Sequence, residues 1–204
     1  MRTDTLCELP LAFQPVAFRV QRASLPWAVR DAHALRRAVF CVEQGIFVGD
    51  DNDAIDDHAQ LLVACTSVAG ECDQVVGTVR IHEAEPGVWW GSRLAVHPAF
   101  RHVGRIGATL IQLAVSSAHA QGAHTFWAHV QQANVPLFAR LHWAHVEDLS
   151  LHGRPHARMR AELAHYPPCH APDWGFMTQV PAPRAPAASQ RQRHPQGHPQ
   201  GATA

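Results

Sequence analysis

The chain has 204 residues, 47% of them hydrophobic, which is enough for one good core with extensions but cramped for two full domains. Its 17 basic residues balance its 17 acidic residues, so no overall field would draw it onto nucleic acid or an anionic membrane, and we expect neither as a partner. The five cysteines are odd in number and lack C-x-x-C spacing, which argues against a disulfide framework or a zinc knuckle.

The first part of the chain predicts a strand, a helix, an acidic loop and a second strand. Residues 15–23 alternate apolar and polar side chains, and residues 26–45 carry apolar residues at helical spacing before a terminating glycine. Residues 49–58 are a polar loop with five aspartates, which must be solvated or paired, and an apolar run follows. The predicted buried residues are Val16, Phe18 and Val20 of the strand and Leu35, Val39 and Val42 of the helix.

The second part predicts a hairpin, a long helix and three more strands around a short helix. Pro86 and Gly87 set the dihedrals of a tight turn inside residues 73–96. Residues 104–120 form an amphipathic helix that buries Ile106, Leu110, Leu113 and Ala114 and closes at Gly122. The remaining elements are strands near 124–130, 144–149 and 157–163 and a short helix at 133–143 with Pro136 in its first turn.

The composition divides the chain into an extension at 1–14, a folded domain at 15–165 and a tail at 166–204. The tail is rich in Pro, Ala, Gln and His and is predicted to be disordered. Its repeated His-Pro-Gln-Gly is a weak metal-binding pattern, but a solvated low-complexity tail is the simpler interpretation.

The turn between the hairpin and the long helix is a candidate anion site. Arg101 and Gly104 form an Arg-x-x-Gly pattern where the helix begins, and the first helical N–H groups lack internal partners. The alternative is an ordinary strand-to-helix turn with arginines that face solvent.

Three segments together resemble the GNAT superfamily of acyl-CoA N-acyltransferases. Residues 93–111 are similar to its acetyl-CoA signature, and residues 134–143 occupy the place of its Asn-x-x-x-x-Tyr-x-x-x-Gly-Phe segment. Residues 35–45, LRRAVFCVEQG, are similar to the first helix of a bacterial subset that includes relatives of acyl-homoserine lactone synthases. The resemblance spans about 15–164 and is nearest to a small bacterial group from nitrilase-associated gene clusters.

The resemblance implies an α/β fold with a mixed, mostly antiparallel sheet, helices on its flanks and a V-shaped splay between the fourth and fifth strands. The pyrophosphate of CoA would lie on the turn, and the pantetheine would pair with the fourth strand, where the Leu94 N–H would polarise the thioester carbonyl. Asn134 would bond the pantetheine or serve as a helix N-cap. The implied CoA-binding residues are Leu94, Val96, Arg101, His102, Val103, Gly104, Arg105, Ile106, Gly107, Ala108, Asn134 and Phe138.

The chain departs from the family pattern at three places. Ile106 stands where the family has its second Gly or Ala, and Gly107 follows one residue late. Phe138 replaces the Tyr that often protonates the departing thiol, and His142 with Trp143 replaces Gly-Phe.

An amine acceptor needs a base, because an alkyl amine is mostly protonated at neutral pH. Glu83, just before the hairpin turn, is the first candidate and Glu43 the second, with His82 and His58 as further candidates. Trp89 and Trp90 should point to opposite faces of the sheet, so that one lines the acceptor pocket.

The acidic loop has two interpretations. Asp51, Asp53 and Asp56 could attract a cationic amine, or the loop could simply be solvated. It lacks the central Gly and the terminal Glu of an EF-hand, and no metal is expected.

We therefore predict an acetyl-CoA-dependent N-acetyltransferase that transfers the acetyl group directly to a small amine, with acetyl-CoA as co-substrate. The prediction also allows a homodimer. The alternatives are a catalytically silent acyl-CoA-binding module and an acyltransferase like the acyl-homoserine lactone synthases. We expect a cytoplasmic protein, because no apolar run is long enough to span a membrane and polar residues interrupt the first 18 residues.

Overall fold

One mixed sheet forms the body of the protein. The computed structural model describes residues 17–68, 71–103 and 105–179. In this part of the chain eight strands form one sheet in the order β6-β7-β5-β4-β3-β2-β1-β8. Only β4 and β5 are parallel among its neighbours, which confirms the predicted α/β fold with a mixed sheet.

The elements follow the predicted order. The strands are β1 (Ala17–Arg22), β2 (Gln60–Val68), β3 (Glu71–Glu85), β4 (Val88–Val96), β5 (Thr125–Gln131), β6 (Trp143–Leu151), β7 (Arg154–Ala161) and β8 (Phe176–Gln179). The helices are α1 (Pro26–Arg36), α2 (Ile106–Ala120) and α3 (Val135–Arg140), with 3₁₀ turns at Pro98–Phe100, Gln132–Asn134 and Leu163–His165.

The sheet is covered on both faces, and each face has its own hydrophobic core. Leu62 and Ala64 of β2 pack towards α2, whereas Val63 and Cys65 pack towards α1. This follows from the strand geometry, which sends successive side chains to opposite faces. All four predicted core residues of α2 are buried in its core.

The C-terminal end of α1 departs from the predicted helical face. The helix continues through Arg37–Glu43 as a π-helical stretch. Leu35 and Val39 are buried as predicted, but Val42 is 80% exposed, so its assignment to the core is wrong. The wider π turn rotates the last residues away from the direction that a 3.6-residue period predicts.

Part of the predicted tail belongs to the sheet. Residues 166–179 are not disordered, because β8 pairs antiparallel with β1 and extends the sheet at that edge. Phe176 packs against the core on the α2 face, and Asp173 forms an ion pair with Arg22 at 2.6 Å. The predicted extension at 1–14 and the rest of the tail, 180–204, lie outside the described residues.

None of the helices in the described ranges is both long and apolar enough to cross a membrane.

The turn before β8 generates a prediction about stability. Gly175 has φ +54, and a Cβ atom there would lie 1.8 Å from the Val20 carbonyl oxygen. Because that contact is with backbone, Gly175→Ala must displace β8 and should lower the free energy of unfolding by about 3 kcal/mol or more in urea denaturation.

Gly153→Ala is the matched control. Gly153 also has a positive φ, +70, but its Cβ would meet nothing within 4 Å. It should lose only the backbone strain, about 1 kcal/mol. Equal losses in the two variants would contradict the role assigned to the contact between Gly175 and β1.

Candidate active site

The centre of the site is the gap between β4 and β5. Their parallel ladder holds four residue pairs and ends with Gly91 opposite Ala128. In the described ranges no further pair joins them, although β4 continues to Val96 and β5 to Gln131. The two strands therefore diverge beyond Gly91, as the predicted splay requires.

A β-bulge on β4 lies at the beginning of this gap. The register with β3 shifts between Ser92 and Ala95, and Arg93 has φ +55, a left-handed value uncommon for a residue other than glycine. Bulges bend a strand and redirect its side chains. Arg93 and Leu94 therefore leave the regular pleat just beyond the last pair with β5.

A cavity of about 490 Å³ lies in the gap and has walls on both faces of the sheet. Phe40 and Phe47 line it on the face of α1, and Ile111 and Ala114 belong to α2 on the other face. The predicted site residues that line it are Leu94, Asn134, Phe138, Asp53 and Trp90. Trp89 is instead buried in the core, so the two tryptophans do point to opposite faces.

The N-terminus of α2 presents N–H groups near the end of β4 that have no acceptor among the described residues. The first intrahelical hydrogen bond runs from the Thr109 N–H to the Arg105 carbonyl, 2.8 Å, so the N–H groups of Ile106, Gly107 and Ala108 have no acceptor within the helix. Arg105 makes no side-chain cap bond to them. This is the local geometry that binds anions at helix N-termini.

The late glycine of the turn has a structural explanation. The Ile106 side chain is buried in the core, where it lies against Gly77, and so points away from the turn. A Cβ at Gly107 would meet only the Val96 side chain, at 3.8 Å. Gly107 rather than Ile106 therefore leaves the helix N-terminus accessible to a ligand. It lies next to Val96, the last residue of β4.

Arg101 and Glu43, predicted for separate roles, are bound to each other. The Arg101 guanidinium donates two hydrogen bonds to the Glu43 carboxylate, 2.7 and 2.6 Å, and a third to the Val96 carbonyl, 3.0 Å. The bonds from Arg101 hold the pKa of Glu43 below its usual value, which makes this carboxylate a weaker base.

The other residues of the predicted turn differ in exposure. His102 and Arg105 are exposed, and Val103 packs against the core. Gly104 lies outside the described residues.

Asn134 and Phe138 lie on the α3 side of the cavity. Asn134 precedes the first residue of α3 but makes no side-chain cap hydrogen bond, so the N-cap interpretation is not supported. Its exposed amide faces the cavity instead. Phe138 is buried and packs edge-on against Trp143 at 4.9 Å, and both rings line the cavity.

The predicted position of Glu83 in the cleft is wrong. His82 and Ala84 line the cavity, but Glu83 does not, because alternate residues of β3 point to opposite faces of the sheet. The Glu83 carboxylate accepts a hydrogen bond from the Gly87 N–H, 2.7 Å, and so stabilises the hairpin turn.

Two histidines of the cavity have the properties of a base. Burial lowers the pKa of His82, with a further contribution from the charge of Arg80, and its Nδ1 is buried without a hydrogen-bond partner. The side chain of His129 is exposed, but partial desolvation on the cavity side, with His156 and Arg158, lowers its pKa as well. Both rings are therefore more readily neutral near pH 7 than an ordinary histidine.

Sequence analysis missed His129. It is the first residue of β5 after the last pair with β4, and its ring lies 4.8 Å from that of Trp90. The sequence did contain a signal for it. His129 lies near the end of the predicted fifth strand, which was expected to diverge from the fourth at the site.

An ion-pair network, which we call the Arg–Asp cluster, forms the wall of the cavity nearest the acidic loop. It consists of Arg36, Arg80, Arg93, Asp51, Asp53 and Asp56. Its N–O distances range from 2.6 to 3.0 Å. Arg80, Arg93 and Asp53 also line the cavity.

The cluster revises the prediction for the acidic loop. Asp51 is 2% exposed and is paired with Arg36 and Arg93, so it cannot contact an acceptor without breaking these bonds. Asp56 is paired with Arg36 and Arg80. Asp53 alone among the three is both partly exposed and part of the cavity wall. The three arginines compensate the three carboxylates, which weakens any long-range attraction of a cation.

The arginines of the cluster also lower the pKa values of Asp56 and Asp53. Burial alone would raise the pKa of Asp56, but hydrogen bonds from Arg36 and from the Asp53 N–H outweigh it and hold the pKa far below its usual value. Burial is likewise outweighed at Asp53, mainly by Arg80, and its pKa is lowered. These carboxylates are ionised near neutrality and bound to arginines, so they are poor bases.

Comparison with known protein families identifies the family of this chain. The model of the acetyltransferase (GNAT) family matches residues 27–143, more than half of the chain. No curated protein is significantly similar to it in sequence.

Three solved structures illustrate the shared fold. A proposed N-acetyltransferase from Lactobacillus plantarum is 21% identical, with a TM-score of 0.62 over 71% of this chain and 97% of that one. Escherichia coli ElaA is 19% identical, with a TM-score of 0.58 over 71% and 98%. The CoA-dependent acyl-homoserine lactone synthase BjaI, solved with SAM and isopentyl-CoA, is 16% identical, with a TM-score of 0.58 over 73% and 86%.

The Arg–Asp cluster generates a second prediction about stability. The Arg36 side chain is fully buried, so Arg36→Gln leaves Asp51 and Asp56 with too few partners. Breaking a buried pair in this way costs about 3–5 kcal/mol, which urea denaturation would measure as a lower free energy of unfolding. Arg30→Gln is the control: the Arg30 side chain is 71% exposed beside Asp31, and its loss should change stability by about 1 kcal/mol at most.

The pH dependence of unfolding gives an independent check. A carboxylate with a lowered folded-state pKa stabilises the protein above its unfolded pKa, about 3.9, and this contribution is lost as the pH falls through the folded value. Without Arg36 the folded pKa of Asp56 rises, so acid unfolding of Arg36→Gln should begin at a higher pH. An unchanged acid transition would contradict the coupling between the two residues.

Proposed function

The chain belongs to the acetyltransferase (GNAT) family of acyltransferases, and on this basis we propose that it transfers the acetyl group of acetyl-CoA directly to a small amine. The observation that carries the proposal is the cavity in the β4–β5 gap, which Leu94 lines, together with the N-terminus of α2, where a Cβ at Gly107 would lie 3.8 Å from the Val96 side chain at the end of β4. A CoA thioester needs both features: donors for its pyrophosphate and an open strand edge for its pantetheine arm.

The donor would bind along β4. The N–H groups at residues 106–108, with the positive end of the α2 dipole, would hold the pyrophosphate. The pantetheine would run along the edge of β4 from Val96 to Leu94, with the Asn134 amide beside it, so that the thioester reaches the point of divergence at Gly91. The Leu94 N–H would then donate to the carbonyl oxygen as negative charge develops there.

The chemical step is one displacement at the thioester carbonyl. The amine nitrogen attacks the carbonyl carbon, the C–N bond forms, the C–S bond breaks and CoA leaves as a thiolate. The amine gives up a proton to a base of the protein, and the thiolate takes up a proton. A thiol pKa of about 8.5 against about 10.4 for an alkyl amine makes removal of the amine proton the harder task, so Phe138 in place of an acid is tolerable.

His129 is the base that this geometry supports best. It follows the last pair of the ladder, so its ring lies at the narrow end of the gap, where the thioester would be. Its lowered pKa keeps the imidazole neutral and able to accept a proton. His82 shares the cavity and is the second choice.

The acceptor would enter from the face of α1. Asp53 is the partly exposed carboxylate of that wall, and Trp90 offers an aromatic face beside His129. Because Arg80 and Arg93 already pair with Asp53, the Trp90 indole would supply the main attraction for a small amine that carries positive charge before it loses its proton.

A longer acyl donor is the second candidate, favoured by one observation. Ile111, Ala114 and Phe126 extend the cavity with apolar surface on the face of α2. This surface could accommodate an acyl chain longer than acetyl. BjaI, the acyl-homoserine lactone synthase with the same fold, was solved with such a donor, isopentyl-CoA.

The cytoplasm is the proposed compartment. Four cysteines lie in the described residues, and all are free thiols, as expected in a reducing compartment: Cys41, Cys65, Cys72 and Cys169.

The direct test measures CoA release with acetyl-, butyryl- and hexanoyl-CoA against a panel of cationic and neutral amines, and mass spectrometry identifies the acylated product. Acetylation of a cationic amine supports the first candidate, and a preference for hexanoyl-CoA supports the second. Binding of CoA esters without turnover of any amine would show a silent binding module instead.

The anion site gives the third prediction. Gly107→Asp sets a carboxylate at the N-terminus of α2, where it would repel a pyrophosphate but favour the helix dipole. We expect at least a tenfold increase in the Kd for acetyl-CoA by calorimetry, with an unchanged or higher Tm, since the position has room for a Cβ.

Gly107→Asn is the control, since it has nearly the same shape without the charge. It should bind acetyl-CoA much more tightly than the aspartate variant. If both bind like the parent, the pyrophosphate does not lie at this turn.

The base gives the fourth prediction. The parent kcat should fall on the acidic side as His129 becomes protonated, and since its pKa is lowered this fall should be centred below the ordinary value of about 6.5. His129→Gln should lower kcat by a factor of about 10²–10⁴ and abolish that fall, as measured by pH–rate profiles at saturating substrates. The amine itself titrates far above this range.

His82→Gln is the matched comparison. It should retain the acidic fall of kcat if His129 is the base. The reverse pattern, with the fall lost only in His82→Gln, would assign the base to β3.

A further inference from the structure

Three potential metal ligands meet on the surface at the end of the β6–β7 ladder. His142 precedes β6, Glu162 follows β7, and His165 closes the next 3₁₀ turn. One ligand atom from each side chain lies within 4.8 Å of the other two, and all three residues are exposed. The group is separate from the cavity, since none of the three belongs to its lining.

The backbone holds these residues together without any ion. The Glu162 N–H donates to the His142 carbonyl at 3.0 Å, one step beyond the Trp143–Ala161 pair of the ladder. The His165 N–H donates to the Glu162 carbonyl, also at 3.0 Å. The three side chains therefore start from fixed positions, which lowers the entropy lost when they bind a common ligand.

The side chains are also already in contact. The rings of His142 and His165 stack at 3.8 Å between centroids with an interplanar angle of 6°, and the His165 Nε2 lies 3.5 Å from a Glu162 oxygen. Because the two rings are parallel, their in-plane lone pairs do not yet converge, and the exposed side chains would rotate out of the stack to bind one ion.

The conformation of His142 is uncommon for a residue other than glycine. Its φ is +60, in the left-handed region that favours glycine. A residue held in a strained conformation at a turn calls for a functional explanation. Ligation would supply one, because it uses the imidazole that a glycine would lack.

We propose that His142, Glu162 and His165 form a zinc site. Two imidazole nitrogens and one carboxylate oxygen are ligands that Zn²⁺ prefers, and water would complete the tetrahedron at this exposed position. The site departs from the expectation of no metal, which rested on the cysteine pattern and on the missing Gly and Glu of an EF-hand. It is also distinct from the His-Pro-Gln-Gly repeat, which lies outside the described residues.

The ion would fasten two segments that flank a wall of the cavity. Trp143 follows His142 and Tyr166 follows His165, and the Trp143 indole N–H donates to the Tyr166 hydroxyl at 2.9 Å. Trp143 in turn packs against Phe138 of α3, and both line the cavity. Zinc at the surface would therefore stabilise Trp143 and Tyr166, which pack beneath α3, without contacting the reacting groups.

Calorimetric titration of the full chain with zinc chloride at neutral pH tests the proposal. The parent should show one class of sites that is missing, or at least tenfold weaker, in Glu162→Gln and His165→Gln. His142→Gly should lose the same class while it keeps the fold, because glycine adopts this φ without strain. Thermal unfolding should show a zinc-dependent rise of Tm in the parent and none from this site in the three variants.

His145→Gln is the matched control. His145 is an equally exposed histidine with one carboxylate neighbour, Asp148 at 2.8 Å, but no third ligand among the described residues. It should bind zinc like the parent. Because all variants keep the C-terminal histidines, any sites there cancel in the comparison. A zinc stoichiometry and affinity that the three ligand variants share with the parent would overturn the proposal.

Discussion

The divergence of two parallel strands determines the layout of the whole site. Parallel neighbours cannot be joined by a tight turn, so the chain must cross from β4 to β5 through a helix, which is α2. That crossover puts the start of α2 just beyond the end of β4, on the side where the ladder has opened after Gly91. One topological constraint thus brings together an open strand edge, a set of unsatisfied helix N–H groups and a cavity between the strands.

The Arg–Asp cluster forms the wall of the cavity on the side opposite α2. It joins α1, the acidic loop, β3 and β4 through ion pairs. Arginine suits this role because its planar group donates in several directions at once, as Arg36 does to Asp51 and Asp56. The cluster contributes more to the position of the loop than to net stability, since burying charges costs nearly as much as pairing them returns.

The sequence predicted the fold well because local patterns determine it. Period-two strands, the Pro86-Gly87 turn and the apolar face of α2 all depend on nearby residues, and the structure confirms them. Val42 was misassigned because a π turn changes the period of the helix, which composition does not reveal.

The site was harder to predict, because its details depend on which face a strand residue takes and on partners distant in sequence. Glu83 and His82 are neighbours, yet only His82 faces the cavity, and the phase of that alternation is set by the sheet. β8 escaped detection for a related reason: a strand of four residues gains its stability from pairing with β1. The alternation of four residues carries too little signal in a Pro-rich segment.

The distribution of hydrogen bonds argues for an imidazole rather than a carboxylate as the proton acceptor. A base must offer a lone pair that no stronger donor already occupies. Glu43 is bound to Arg101, Glu83 to a backbone N–H, and Asp53 and Asp56 to the arginines of the Arg–Asp cluster. The arginines stabilise the ionised forms of Glu43, Asp53 and Asp56 and so weaken these carboxylates as bases. The pKa values of His82 and His129 are lowered as well, but from a reference of about 6.5 rather than about 4, and no side-chain hydrogen bond within the described residues occupies either ring at the cavity. The same arginines that hold the acidic loop in place therefore occupy its carboxylates, and under the proposed function proton transfer would fall to a neutral histidine, His129 or His82.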